Sequence, residues 1–108
     1  MNRDLPGEDE FVALSRFRVA NGMGSEVRDA FRARPHKVDD ASGFRGMEVL
    51  NPIDDSEEFW LITRWSDEES FRAWHHSHLY RESHEGIPRG LKLDASATMM
   101  KCFRKVSS

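Results

Sequence analysis

The feature that most constrains this chain is the order in which its apolar periodicity changes. Phe11 to Val19 (FVALSRFRV) alternates. Phe11, Ala13, Ser15, Phe17 and Val19 fall on one face, and Val12, Leu14, Arg16 and Arg18 on the other. A period of two predicts a strand. After the turn-forming run Asn21-Gly22-Met23-Gly24, the residues Val27, Ala30 and Phe31 stand at i, i+3 and i+4, which predicts an amphipathic helix. Ser25 is its expected N-cap, with Glu26 at the positive end of the helix dipole. Pro35 is expected to end the helix near Arg34, with a short turn over 36–41 after it. Phe44 to Asn51 reads as a second strand. Glu57 to Trp65 (EEFWLITRW), rich in aromatic and β-branched residues, reads as a third and central one. These two are close enough in sequence to pair antiparallel.

Ser66-Asp67-Glu68-Glu69 has the capping-box form, and a helical pattern follows it at once. Phe71, Trp74, His75 and His78 lie at i, i+3, i+4 and i+7. They put an aromatic stripe and two His on one face. A bend is expected near Ser77, with helical character continuing from His78 to His84. Ala97 to Val106 is the fourth strand. The order β-α-β-β-α-β is the split βαβ, ferredoxin-like α+β arrangement: an antiparallel sheet with helices on one face. The opposite sheet face carries Leu, Val and aromatic residues, and an uncovered apolar face marks an interface. A homodimer packed sheet to sheet is therefore expected.

With 108 residues the chain has room for one domain, read as 10–108 after a polar, aperiodic leader over 1–9. A net charge of −3 argues against a protein whose main partner is nucleic acid. No apolar run approaches the roughly 18 residues of a membrane span, and the first ten residues lack the apolar stretch of a secretory signal. The single cysteine, Cys102, allows no disulfide within the chain, which fits a reducing, cytoplasmic setting. A free cysteine on a strand is expected to be buried.

Four of the five His lie between residues 75 and 84: His75, His76, His78 and His84. They admit three readings. They are surface and core residues, with His76 exposed. Or His75 and His78 share a zinc ion, although the spacing matches no zinc pattern. Or one His is the axial ligand of a haem iron in an aromatic pocket. His84 is ten residues after Trp74, about 15 Å along a continuous helix. A break near Ser77 would bring it back toward a pocket lined by Trp74. Ser15, on the face of the two Phe residues, is either a small polar filler bonded to a neighbour or a functional group.

Taken together, the first strand FVALSRFRV with its Gly loop, the run S-G-F-R-G-M-E-V-L, the ending T-R-W-S, the helix run F-R-A-W and the spacing from Trp74 to His84 resemble the antibiotic biosynthesis monooxygenase (ABM) superfamily. Within it they look most like the IsdG-type haem-degrading monooxygenases. The resemblance covers roughly 11–106. It implies ferredoxin-like domains paired as a dimeric α/β barrel. It also implies a monooxygenase for which haem is both substrate and cofactor, supplied with electrons by an external donor. By the same resemblance His84 would be the axial ligand of the haem iron, and Trp74 would press on the porphyrin and ruffle it. Arg34 would meet the haem propionates. Ser15 would stand where the family usually has an Asn that donates a hydrogen bond to the distal oxygen ligand. A hydroxyl is a shorter donor than a carboxamide. The superfamily leaves two alternatives: a cofactor-free monooxygenase acting on quinols or other electron-rich aromatics, and a haem-binding protein without turnover.

Overall fold

The computed structural model describes residues 10–34, 36–77 and 87–108. The leader assigned to residues 1–9 and the segment 78–84 lie outside the described residues. In chain order the elements are β1 (Phe11–Arg18), α1 (Gly24–Arg32), a 3₁₀ turn over Lys37–Asp40, β2 (Phe44–Leu50), β3 (Glu58–Trp65) and α2 (Glu68–His75). A second 3₁₀ turn (Ala95–Ala97) then leads into β4 (Met99–Arg104). The four strands form one sheet in the order β2-β3-β1-β4, with every neighbouring pair antiparallel. This is the ferredoxin-like α+β architecture expected from the sequence, and β3 is central.

Register decides which side chains meet the helices. Opposite Phe11, Ala13, Ser15 and Phe17 of β1 stand Trp65, Thr63, Leu61 and Phe59 of β3. All eight therefore share one face. Phe11, Ala13 and Trp65 pack with Phe71 and Trp74 of α2 and with Val38. Val19 and Phe59 pack with Val27 of α1, and Phe17, Phe31 and Leu61 lean on them. Three rings, Phe17, Phe31 and Phe59, hold α1 to the sheet with centroids 5.3 to 6.3 Å apart.

Helix α1 begins two residues before the expected place and α2 one residue after it, for a reason in each case. Met23, not Ser25, stands at the N-cap of α1, and its side chain makes no cap bond. The cap comes from another element: Gly24 N–H donates to Glu57 Oε1 at 3.0 Å. A Cβ on Gly24 would press into the Ser56 carbonyl and the Glu57 carboxylate, so only glycine lets the helix start this close to β3. In α2 the cap is Asp67, whose Oδ1 accepts from Ser70 N–H at 2.8 Å. Ser66 is still tied to the sheet, because its N–H donates to the Gly43 carbonyl at 2.7 Å. The chain therefore leaves the sheet one residue later than the capping box implies. At its other end α2 stops at His75. Both the N–H and the hydroxyl of Ser77 donate to the Trp74 carbonyl, at 2.9 and 2.7 Å, which makes the expected break.

The opposite sheet face is mixed. Val12, Leu14, Trp60 and Ile62 lie half-buried, Leu50 and Phe103 are exposed, and charged residues sit between them. The Arg16 guanidinium lies 5.6 Å from the Trp60 ring centre. Cys102 is exposed, against expectation. It stands on β4, an edge strand whose side chains are mostly open to solvent. Among the described residues, no helix is long and apolar enough to cross a membrane.

Loop carboxylates fasten this frame. The Arg18 guanidinium donates to Asp55 Oδ2 at 2.8 Å and, with the Glu57 N–H, holds the Asp55 carboxyl below its ordinary value. The Ser96 hydroxyl and N–H do the same for Asp94, and the Ser70 N–H for Asp67. A carboxyl depressed in the folded state stabilises it above the unfolded-state pKa, and that contribution fades as pH falls through the folded value. The thermal midpoint is therefore expected to hold at neutral pH and to fall once pH drops below the ordinary aspartate value of 3.8. Asp55→Asn should flatten part of that fall in a thermal melt series. An unchanged pH profile in this variant would contradict the assignment.

Candidate active site

The two helices do not close fully over the sheet, and a cavity of about 360 Å³ remains beneath them. Its floor is the helix-facing side of β1 and β3: Ala13, Ser15, Phe17, Leu61, Thr63 and Trp65. Phe31 of α1 forms one wall, and Phe71, Trp74 and His75 of α2 form the other. Ile87, Pro88, Leu91 and Leu93 close one end. A volume in this range with an aromatic lining suits a small organic molecule.

Polar groups are few. Thr63 Oγ1 is engaged, accepting from the Trp65 indole N–H at 2.9 Å. The Ser15 hydroxyl, on the same floor, has no hydrogen-bond partner among the described residues. It is therefore not a filler bonded to a neighbour. It is a donor and acceptor facing an apolar space, where a bond to a ligand competes with little else.

Trp74 lines the cavity and is buried. It sits one helical turn after Phe71, and the stripe read from the sequence turns inward as expected. His75 also lines the cavity, stacked on Phe71 with ring centres 5.4 Å apart. His76 points to solvent. Among the described residues, no group of three or more His, Cys, Asp or Glu comes together to hold a metal ion. His84 lies outside the described residues.

Basic side chains gather on one rim. Arg34, His36 and Lys37 all line the cavity, just after α1. Arg34 was legible in the sequence, whereas His36 and Lys37 were not singled out. Their only local signal in the sequence is the helix breaker Pro35 that stands just before them. Behind this rim stands Asp39. It accepts from Arg34 Nη1 at 3.2 Å and lies 3.1 Å from His36 Nδ1. Desolvation pushes the Asp39 carboxyl up, but the bonds from His36 and Arg34 outweigh it and leave the carboxyl below its ordinary value. The cavity is thus apolar and aromatic, with one free hydroxyl on its floor and positive charge along one edge. It suits a flat apolar ligand that carries an anionic arm.

The sequence and the fold are similar to those of known proteins. The sequence model of the family described as antibiotic biosynthesis monooxygenase matches residues 10–86. A mycobilin-producing heme oxygenase of Mycobacterium tuberculosis is 33% identical over 63 residues, which is 58% of this chain and 60% of that enzyme. The chain thus spans about three fifths of that relative's length. The structure of the heme-degrader MhuD from Mycobacterium tuberculosis, with two hemes bound in its active site, superposes with a TM-score of 0.73 at 26% identity. The match covers 91% of this chain and 97% of MhuD. The cofactor-independent oxygenase SnoaB from Streptomyces nogalater superposes equally well, with a TM-score of 0.73 over 93% and 96% of the two chains. At 20% identity it attests to the fold alone.

Proposed function

We propose that this chain, which belongs to the antibiotic biosynthesis monooxygenase family, binds haem in the cavity between its helices and sheet and opens the porphyrin ring with dioxygen. The electrons come from an external donor, and iron is released. One observation carries the reading. A single apolar cavity presents a buried Trp, an unbonded hydroxyl and a cationic rim, and these match the flat ring, the distal ligand side and the propionates of haem. The likeness to a heme oxygenase over part of the chain supports it.

Bound haem supplies both the ring to be oxidised and the iron that activates dioxygen, and the chain supplies placement. Trp74 forms an aromatic wall against which a macrocycle is pressed. Ser15 would offer its hydroxyl to the bound group as a hydrogen-bond donor, directly or through a water. Arg34 offers the propionates a charged fork of donors. His84 would hold the haem iron through an imidazole nitrogen. It belongs to the stretch of chain that joins His75, on the cavity wall, to Ile87 at the cavity's end. A second copy of the chain covers the open sheet face through Val12, Leu14, Trp60 and Ile62.

The direct test is a hemin titration. A saturable shift of the Soret band is expected on adding hemin to the protein. No shift, together with oxygen uptake when quinols are given to the haem-free protein, would favour the cofactor-independent reading instead. Ser15→Ala removes the floor's free donor and nothing else that the described residues use. A net hydrogen bond of about 1 kcal/mol corresponds to about a fivefold change in rate. Reductive decay of bound haem is expected to slow by about that factor, with hemin affinity within twofold of wild type. Unchanged decay would remove Ser15 from the distal role.

A further inference from the structure

We infer that Asp39 is the positioning residue of the site's anion-binding rim, and so a determinant of which flat ligands the cavity accepts. The inference rests on the haem reading above and concerns the carboxylate arms of that ligand. Asp39 does not line the cavity, but two residues that do are bonded to it from opposite sides. Arg34 Nη1 meets one carboxylate oxygen and His36 Nδ1 the other. Both contacts are open to solvent, and a backbone feature accompanies them. His36 is the one non-glycine residue among those described with a left-handed backbone, at φ 59°. That conformation is uncommon for a residue with a side chain and persists where the surroundings hold it. The Nδ1 contact with Asp39, three residues on, is such a hold, and Asp39 itself sits in the 3₁₀ turn that follows.

The consequence for Arg34 is geometric. A guanidinium carries five N–H donors, and the pair with Asp39 occupies one. The rest of the fork stays available toward the cavity, on a side chain whose freedom has already been restricted. A pre-placed fork binds a carboxylate better than a mobile one, because less rotamer freedom is lost on binding. Asp39 also carries negative charge near the same rim, and charge alone would oppose an anionic ligand. The two effects have opposite signs, so the sign of the measured change decides between them.

The experiment compares hemin with hemin dimethyl ester, whose arms are uncharged, on the wild-type protein and on Asp39→Asn and Asp39→Glu. Positioning predicts that Asp39→Asn weakens hemin binding about fivefold to tenfold and leaves the dimethyl ester unchanged. Asp39→Glu, which keeps a carboxylate, should recover most of the loss. Equal weakening of both ligands would overturn the inference by showing a general structural role, while leaving the haem reading intact. Tighter hemin binding in Asp39→Asn would also overturn it, since charge and not placement would then dominate. If neither compound binds the wild-type protein, the haem reading fails and the inference falls with it.

Discussion

Replacing Trp65 with alanine is expected to destabilise the fold by about 3–5 kcal/mol, the usual cost of deleting a large core aromatic. Trp65 is fully buried at the last position of β3, where it pairs with Phe11 on one side and Phe44 on the other. Its ring meets Phe44 edge-on at 5.4 Å and Phe71 at 5.8 Å. The same residue thus ties β2 and α2 to the centre of the sheet. Its indole N–H also donates to Thr63 Oγ1, so the alanine variant would leave a hydroxyl beside a new cavity. A small domain has about 5–15 kcal/mol in total, and the loss would consume a large part of it. Urea denaturation read by far-UV circular dichroism would measure it. Trp65→Phe, which keeps a ring but gives up the indole bond, should fall between the two. A change below about 1 kcal/mol in Trp65→Ala would mean that the cluster around α2 is not the main core.

The largest functional effect is expected from His84→Ala. On the haem reading this removes the proposed protein bond to iron, and the Soret shift expected of wild-type protein should be lost or replaced by the spectrum of loosely bound hemin. The loss of the shift is read on a variant that keeps the fold. An unchanged circular dichroism spectrum would establish that. Exogenous imidazole, which can take the vacated position, is expected to restore a ligated spectrum. A wild-type Soret shift in His84→Ala would move the axial role to another residue. His75 is then the natural candidate, since it lines the cavity next to Trp74.

Much of the fold was legible because its signals are local. The alternation in Phe11–Val19 and the aromatic, β-branched run ending at Trp65 mark β1 and β3, and the stripe Phe71, Trp74, His75 marks the inner face of α2. What was missed came from distant partners. The cap of α1 is a carboxylate 33 residues away, so no local pattern could replace Ser25 with Glu57 as the group that satisfies the helix start. Ser66 has the right chemistry for a cap, but its N–H is committed to Gly43 across the sheet. Cys102 is exposed because β4 is an edge strand, and strand order is not written in local periodicity. The site divides in the same way. Ser15, Arg34 and Trp74 were legible singly, and the structure brings them to one cavity. His36 and Lys37 complete the rim, with Asp39 behind it, only because of where the chain runs after α1, and their residue types alone carry no hint of it.

The central claim is that the chain opens the porphyrin as well as binding it. A single-turnover reaction tests this most directly: the hemin-loaded protein is reduced in air with a ferrous chelator present. The Soret band is expected to decay, and chelatable iron to appear with the same time course. A Soret band that persists under reductant and oxygen, with no iron released, would contradict it and leave a haem-binding protein without turnover.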